Sequence, residues 1–364
     1  MKKKDLVITA ATTLFLAVLS VSAWFKPADE FSLSERRKLK QFPELTFETV
    51  ISGRFMKNFE DYTLDQFPMR DHFRTVKALT ALHVFGQKEN NEIYVTDGYA
   101  AKIEYPLKED SLKRAAKRFE YVYETYLKHT DTANYLAVIP DKNYFLAGNQ
   151  GMLSLDYEKL YSLIRSNTEF LEYIDITNLL SIEDYYKTDT HWRQEQITDV
   201  AEQIGEAMGV DISTEYVEKT LEQDFFGVYY GQSALPLEGE ALHYLTNDLL
   251  EECLVYDHEN DREISVYDMK KAGEKDPYEI FLSGPLSLIT IENEQADSEK
   301  ELVVFRDSFG SALAPLLVPG YRKITLVDIR YMNPDILKKY VEFDDQDVLF
   351  LYSTGVLNNS ETIK

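Results

Sequence analysis

Cys253 is the only cysteine in 364 residues, which excludes an intramolecular disulfide framework and any zinc cluster built on cysteine. The chain must hold together by packing. Positive charge is also scarce: 39 Lys and Arg stand against 63 Asp and Glu, a formal net charge of −24. Binding to a phosphate backbone depends on Lys and Arg, and no basic stripe runs through this sequence, so nucleic acid is excluded as a partner. Internal repeats and low-complexity tracts are lacking too. What is present is 44% hydrophobic content with 25 Tyr and 20 Phe. That is enough for one large core or two moderate ones at about 150 residues per domain, and too much for a disordered chain.

The longest stretch without charge is Leu6 to Phe25, preceded by Lys2, Lys3 and Lys4. At 1.5 Å per residue it spans about 30 Å, the thickness of a bilayer's hydrocarbon core. Two fates fit it. As a retained anchor it keeps its Lys-rich flank inside the cell and everything after Lys26 outside, with Trp24 at the far interface. As a signal peptide it is cut near Val21-Ser22-Ala23. The full spanning length, continued by Trp24-Phe25, favours the anchor, so the expected location is the cell membrane, single-pass with the body outside, or secreted if the segment is cleaved. Without residues 1–25 the chain has 36 basic and 62 acidic residues, a net charge of −26.

Five regions follow from the pattern: an anchor or signal peptide (1–25), a juxtamembrane and helical region (26–88), the first part of an α/β domain (89–210), an acidic, mostly β insertion (211–300), and the second part of the α/β domain (301–364). In the N-terminal region, short helices are expected at Arg54–Tyr62 and Arg70–Phe85. Apolar runs at 135–139, 171–176, 301–305, 323–329 and 348–352 alternate with amphipathic helices near 111–128, 157–168, 193–208, 311–317 and 334–340. Apolar strands without period-two alternation, interleaved with helices, indicate a mainly parallel sheet covered on both faces. Residues 211–300 break this pattern with short alternating stretches such as Glu263-Ile264-Ser265-Val266-Tyr267. They hold 22 acidic and 6 basic residues, a net of −16, so most of the acidity belongs to a segment outside the residues singled out for chemistry.

Ligands of an open parallel sheet bind beyond the carboxyl ends of its strands. Two such ends carry reactive groups: Tyr185-Tyr186-Lys187-Thr188-Asp189-Thr190-His191-Trp192, and Arg306-Asp307-Ser308-Phe309-Gly310. Ser308 lies between a buried strand and a helix start, the context of a serine nucleophile, and also the position of an ordinary helix cap. Asp189-x-His191 can supply a base and the carboxylate that orients it. It can equally be a packed loop, or with Asp184, Asp141 and Asp307 a cation site. Lys142, after the strand ending at Pro140, suits contact with a polar or anionic sugar or a solvated turn. Tyr185 and Tyr186 suit stacking on sugar rings or packing.

Together, Thr188-Asp189-Thr190-His191-Trp192 and Arg306-Asp307-Ser308-Phe309 resemble the two signatures of the DHHW family of exported bacterial proteins, which is similar to the alginate O-acetyltransferases of the SGNH-hydrolase-like group. Glu35-Arg36-Arg37-Lys38-Leu39, Phe42-Pro43, Ser52-Gly53-Arg54-Phe55, Asp65-Gln66-Phe67-Pro68-Met69-Arg70 and Asp328-Ile329-Arg330-Tyr331 extend the resemblance over about residues 30–355. It implies an SGNH-like, flavodoxin-like three-layer sandwich, with Asp189 orienting His191 as base and Ser308 as nucleophile. Thr190 replaces the family's first His, and Arg306 stands where ordinary SGNH enzymes carry Gly. Oxyanion or substrate contacts are expected from the Ser308 backbone and from Arg330, Tyr331, Lys142, Tyr186 or Arg306, with no cofactor and no metal.

The implied activity is an exported O-acetyltransferase or acetylesterase acting on a cell-surface or secreted polysaccharide. Because acetyl-coenzyme A is not found outside the cell, the implied acetyl donor is a membrane-bound O-acyltransferase partner. Two other classes stay open on sequence alone: a non-catalytic polysaccharide-binding or assembly factor, and a metal-dependent hydrolase using the carboxylates.

Overall fold

In a computed structural model that describes residues 3–32 and 34–364, the chain forms two compact units, Met1–Asn91 with Tyr230–Leu237, and Glu92–Tyr229 with Glu238–Lys364. The first unit begins with the helix Lys3–Phe25, which is long and apolar enough to cross a membrane. Helices Phe47–Ile51, Arg54–Asp65 and Arg70–His83 follow. The N-terminal motif residues meet in one charge network. Glu35 pairs with Arg37, Arg70 and Arg74, and Asp65 accepts from Arg37 at 2.6 Å and from the Lys40 N–H at 2.8 Å. The Arg37 hydrogen bond holds the Asp65 carboxyl below its ordinary range.

The second unit is built on an eight-stranded sheet. In chain order its strands are β1 (Ala133–Ile139), β2 (Glu172–Ile174), β3 (Leu254–Asp257), β4 (Arg262–Ile264), β5 (Leu288–Glu292), β6 (Glu301–Arg306), β7 (Lys323–Val327) and β8 (Asp347–Ser353), arranged β4-β3-β5-β7-β6-β8-β1-β2. The five strands from β7 to β2 are parallel, while β5, β3 and β4 continue the sheet antiparallel. Alternate residues feed two separate cores, as the period of a strand requires. Leu302, Val304, Leu349 and Leu351 pack beneath helices Thr198–Ala207 and Gly310–Leu317. Val303, Phe305, Val348 and Phe350 pack beneath Glu109–Val122 and Tyr157–Asn167. The result is a three-layer α/β sandwich, as the run of buried strands implies.

Elements differ from the sequence reading mainly at their ends. The helix expected at 111–128 is α-helical over Glu109–Val122 and closes in a π-helical turn, Tyr123–Leu127. That expected at 193–208 begins as a 3-10 turn, Gln194–Gln196, before Thr198–Ala207. Pro334–Lys339 is entirely 3-10. Within residues 211–300, a small hairpin (Val217–Thr220 with His243–Thr246) stands apart from the main sheet, whereas β3, β4 and β5 complete it. The Leu288-Ile289-Thr290-Ile291 run of β5 is buried throughout and pairs with β7, which is why this stretch joins the core.

Candidate active site

Three strands of the parallel half end on the same rim: β6 runs into Asp307-Ser308, β8 into Ser353-Thr354, and β1 into Pro140-Asp141-Lys142. Two buried carboxylates tie these ends together. Asp307 accepts from the Phe309 N–H at 3.1 Å, the Ser353 N–H at 2.8 Å and the Ser353 hydroxyl at 2.7 Å. Asp141 accepts from the Thr354 hydroxyl at 2.6 Å, the Tyr157 hydroxyl at 2.8 Å and the Asn143 N–H at 2.9 Å. Ser308 thus sits on a turn whose two flanks are pinned, half-exposed while Asp307 beneath it is fully buried.

Gly310 is required by close approach: a Cβ there would lie 2.8 Å from the Arg306 Cβ. Arg306 runs under the turn, fully buried, its guanidinium donating to the Asp307 carbonyl at 3.4 Å and the Leu286 carbonyl at 3.3 Å, with Asp328 at 4.0 Å. Its Nε has no partner among the described residues, and burial pushes its pKa down. This arginine is a strut under the serine turn and offers no surface to a substrate.

The residues Tyr185 to Trp192 form a closed loop, bridged at its ends by Tyr185 and Trp192, and it brings Asp189 and His191 to Ser308. His191 Nε2 lies 2.7 Å from Ser308 Oγ, and His191 Nδ1 lies 2.6 Å from Asp189 Oδ1. An ionised carboxylate only accepts, so Nδ1 carries the proton in the neutral ring, and Nε2 is left to accept from the serine hydroxyl. The other Asp189 oxygen accepts from the Val228 N–H at 2.8 Å. Trp192 fastens the two motifs together, its indole N–H donating to the Phe309 carbonyl at 3.1 Å, while the Gln194 amide donates to the Ala312 carbonyl at 2.8 Å. Thr190, in place of the family's first His, is half-buried in this loop. The Ser308 N–H, one candidate oxyanion donor, donates to no atom among the described residues.

Several residues expected near substrate have other work. Lys142 is neither a sugar contact nor a solvated turn residue: it is 2% exposed. Its ammonium reaches inside the Asp189 loop to the carbonyls of Tyr186 (2.7 Å), Lys187 (3.0 Å) and Asp189 (3.1 Å). Burial pushes its pKa down to about 7, against the opposing pull of Asp189 and Glu240. Tyr186 is likewise buried, packed edge-on against Phe225 and Tyr278, so it cannot stack on a sugar. Tyr185 is a packing residue as well, its hydroxyl donating to the Pro140 carbonyl. Arg330 is clamped on Asp328 through Nε and Nη2 at 2.9 and 2.6 Å. Tyr331 is exposed. The carboxylates grouped in the cation reading are taken by separate partners, and no set of three or more potential ligands converges among the described residues.

The sequence reading missed the contribution of residues 211–300. Gly227 packs so closely on Asp189 that a Cβ there would lie 2.3 Å from the Asp189 Cβ, and its N–H donates to the Thr188 hydroxyl. Glu240, one of the 22 acids of that segment, accepts from the N–H groups of Lys187 and Thr188 at 2.9 and 3.0 Å. Tyr278 stacks flat on the His191 ring, centroids 4.0 Å apart and planes 8° from parallel. The only local signal was Phe225-Phe226-Gly227, an aromatic-glycine step in a polar stretch. The acidity of the segment is therefore not irrelevant to the site, since one of its carboxylates supports the loop.

In the solved structures, a DHHW family protein from Eubacterium siraeum superposes on this chain with a TM-score of 0.62, at 20% identity, over 76% of this chain and 95% of its own. The two share a fold. PatB1 of Bacillus cereus superposes with a TM-score of 0.60 at 18% identity, over 75% of this chain and 98% of its own, and has also been solved with a sulfonyl adduct. The O-acetyltransferase domain of Pseudomonas putida AlgJ aligns more loosely, with a TM-score of 0.45 and 11% identity, over 73% of this chain and 92% of its own. No family model and no curated protein matches the chain. At these identities the likeness establishes the fold and leaves activity to be argued from the site.

Proposed function

We propose that this chain is an exported, membrane-tethered serine O-acetyltransferase, or the corresponding acetylesterase, acting on hydroxyl groups of a cell-surface or secreted polysaccharide. The observation that carries the reading is the continuous relay from Asp189 through His191 to Ser308, with heavy-atom distances of 2.6 and 2.7 Å, within the reach that nucleophile activation needs. Ser308 Oγ attacks the acetyl carbonyl and passes its proton to His191 Nε2, while Asp189 steadies the imidazolium through Nδ1–H. The Ser308 N–H and the start of the Gly310–Leu317 helix face the charge that develops on the carbonyl oxygen. Nε2 returns the proton to the departing donor oxygen, leaving acetyl-Ser308. It then takes a proton from the acceptor hydroxyl, or from water, as that oxygen attacks the acetyl group, and returns the proton to Ser308 Oγ as the acyl bond breaks.

The substrate class and the membrane-bound O-acyltransferase as acetyl donor come from the sequence resemblance. The Lys-flanked apolar helix, whose flank stays inside, supports the export part of this reading. The sulfonyl adduct of PatB1, a protein of the same fold, supports the choice of probe. A sulfonyl fluoride should label Ser308 in the wild-type protein, and Ser308→Ala should abolish both the label and acetate release from a small acetyl ester. Full acetate release by Ser308→Ala would defeat the reading. Retained glycan affinity without turnover in the wild type would favour a binding module.

A further inference from the structure

The first compact unit carries a dense set of exposed apolar side chains that the relay does not use. Among the described residues, thirteen large apolar side chains between Phe42 and Phe85 are exposed, against eleven in all of Glu92–Tyr229 and Glu238–Lys364. Phe47 is 84% exposed, Ile51 72% and Met56 65%. Single exposed apolar residues are ordinary, but a patch of this density marks a contact surface. It is carried on ordered helices. Thr46 opens Phe47–Ile51 with a reciprocal capping box, Gly53 takes a positive φ of 73° to turn the chain into Arg54–Asp65, and Phe42 packs edge-on against Phe55, Phe59 and Tyr62 to fix the preceding loop.

Two observations indicate what covers it. The patch begins a short stretch after the helix Lys3–Phe25, the one helix among the described residues long and apolar enough to cross a membrane. Charge also divides between the units: beyond the span the first has 11 basic and 10 acidic residues, net +1, and the second has 25 and 52, net −27. An anionic phospholipid surface repels the second unit and tolerates the first. We infer that helices Phe47–Ile51 and Arg54–Asp65 lie in the headgroup layer of the bilayer that Lys3–Phe25 crosses, with Phe47, Ile51 and Met56 reaching the acyl boundary. Such elements sink about 5–10 Å below the headgroups. The inference rests on the reading of Lys3–Phe25 as a retained span, and it makes the tether a two-point attachment.

The test uses the full chain carrying Cys253→Ser, with a bimane label at Phe47→Cys, at Ile51→Cys, or at Tyr340→Cys in the second unit. Each protein is reconstituted into phosphatidylcholine and phosphatidylglycerol vesicles, with or without lipids brominated near the headgroup. Trp24 emission reads the span separately, because Trp192 is fully buried. The expected result is at least a twofold loss of label emission at positions 47 and 51, none at 340, and quenching of Trp24. Trp24 quenched with labels 47 and 51 unaffected overturns the docking and leaves the span standing. Labels 47 and 51 quenched without Trp24 support the docking and overturn the span. Shielding of 47 and 51 only in native membranes assigns the patch to a protein partner and also overturns the inference.

Discussion

The turn at Ser308 is held by its own strand and the neighbouring one, whereas the loop carrying Asp189 and His191 is held almost entirely by residues distant in sequence. Asp307 fixes the serine turn through Phe309, at the start of the helix that follows β6, and Ser353, the last residue of the adjacent parallel strand β8. The base loop depends on Lys142 inside it, Glu240 outside it, Gly227 and Val228 against Asp189, and Tyr278 over the imidazole. A turn between a regular strand and a helix inherits its geometry from the sheet. An irregular loop must have each carbonyl and N–H satisfied by something brought to it, since buried backbone groups left unpaired are costly. The nucleophile side should therefore tolerate change in its surroundings, and the base side should fail when remote residues change.

The largest effect on the base side should come from Asp189→Asn. The amide cannot accept from Nδ1–H and Val228 N–H as the carboxylate does, and it favours the wrong tautomer. Turnover should fall by roughly 10⁴-fold while the thermal midpoint of unfolding changes far less. Wild-type turnover in this variant would remove Asp189 from the relay. Gly227→Ala comes next: a methyl group driven into Asp189 must displace the loop, costing up to about 3 kcal/mol as overpacking and about 100-fold in activity through displacement of the base. Both losses are measurable by denaturant unfolding and esterase assay, and a variant close to wild type in both would mean that the loop is not held from that side.

This difference also sets what was legible in the sequence. The strands β1, β6, β7 and β8 were readable because parallel strands buried on both faces are apolar throughout, and Ser308 was readable because it follows one of them. Asp189 and His191 stood out by motif and resemblance, not by local structure. Lys142 was misread because a lysine after a strand is normally solvated, and nothing nearby shows that three carbonyls 44 to 47 residues away converge on it. Gly227, Glu240 and Tyr278 were invisible for the same reason: their partners lie in another part of the chain, and the segment holding them has no strong periodicity of its own.

Lys142→Met tests that inward lysine. It leaves three buried carbonyls without their donor, at about 1–3 kcal/mol for each that finds no substitute. The pH dependence has a definite sign. Below pH 7 the lysine is protonated in both the folded and unfolded chain, and the burden of burying the charge is present in full. Between about 7 and the ordinary lysine value of 10.5 the unfolded chain holds a proton the folded chain has released, so wild-type stability rises with pH across that window. The variant lacks this rise, so the gap in thermal midpoint between wild type and Lys142→Met should widen from pH 7 to pH 10. A gap that stays constant or narrows would show that Lys142 keeps its proton in the folded protein.

Tyr278→Leu should have the smallest effect and makes the finest distinction. The tyrosine ring covers one face of the imidazole, and its hydroxyl has no partner among the described residues, so what it supplies to His191 is the flat surface. Phe309 approaches the same ring at 4.9 Å, tilted by 56°, and cannot replace that surface. With leucine in its place the ring gains freedom to rock while both of its hydrogen bonds remain available. The expected result is a fall in kcat of about tenfold from looser orientation, with KM little changed because no substrate contact is lost. Tyr278→Phe, which keeps the surface and removes the unpartnered hydroxyl, should stay near wild type. If Tyr278→Phe were as impaired as Tyr278→Leu, the hydroxyl and not the ring would be the functional group. The 211–300 segment would then contribute to the chemistry itself rather than to the positioning of the base.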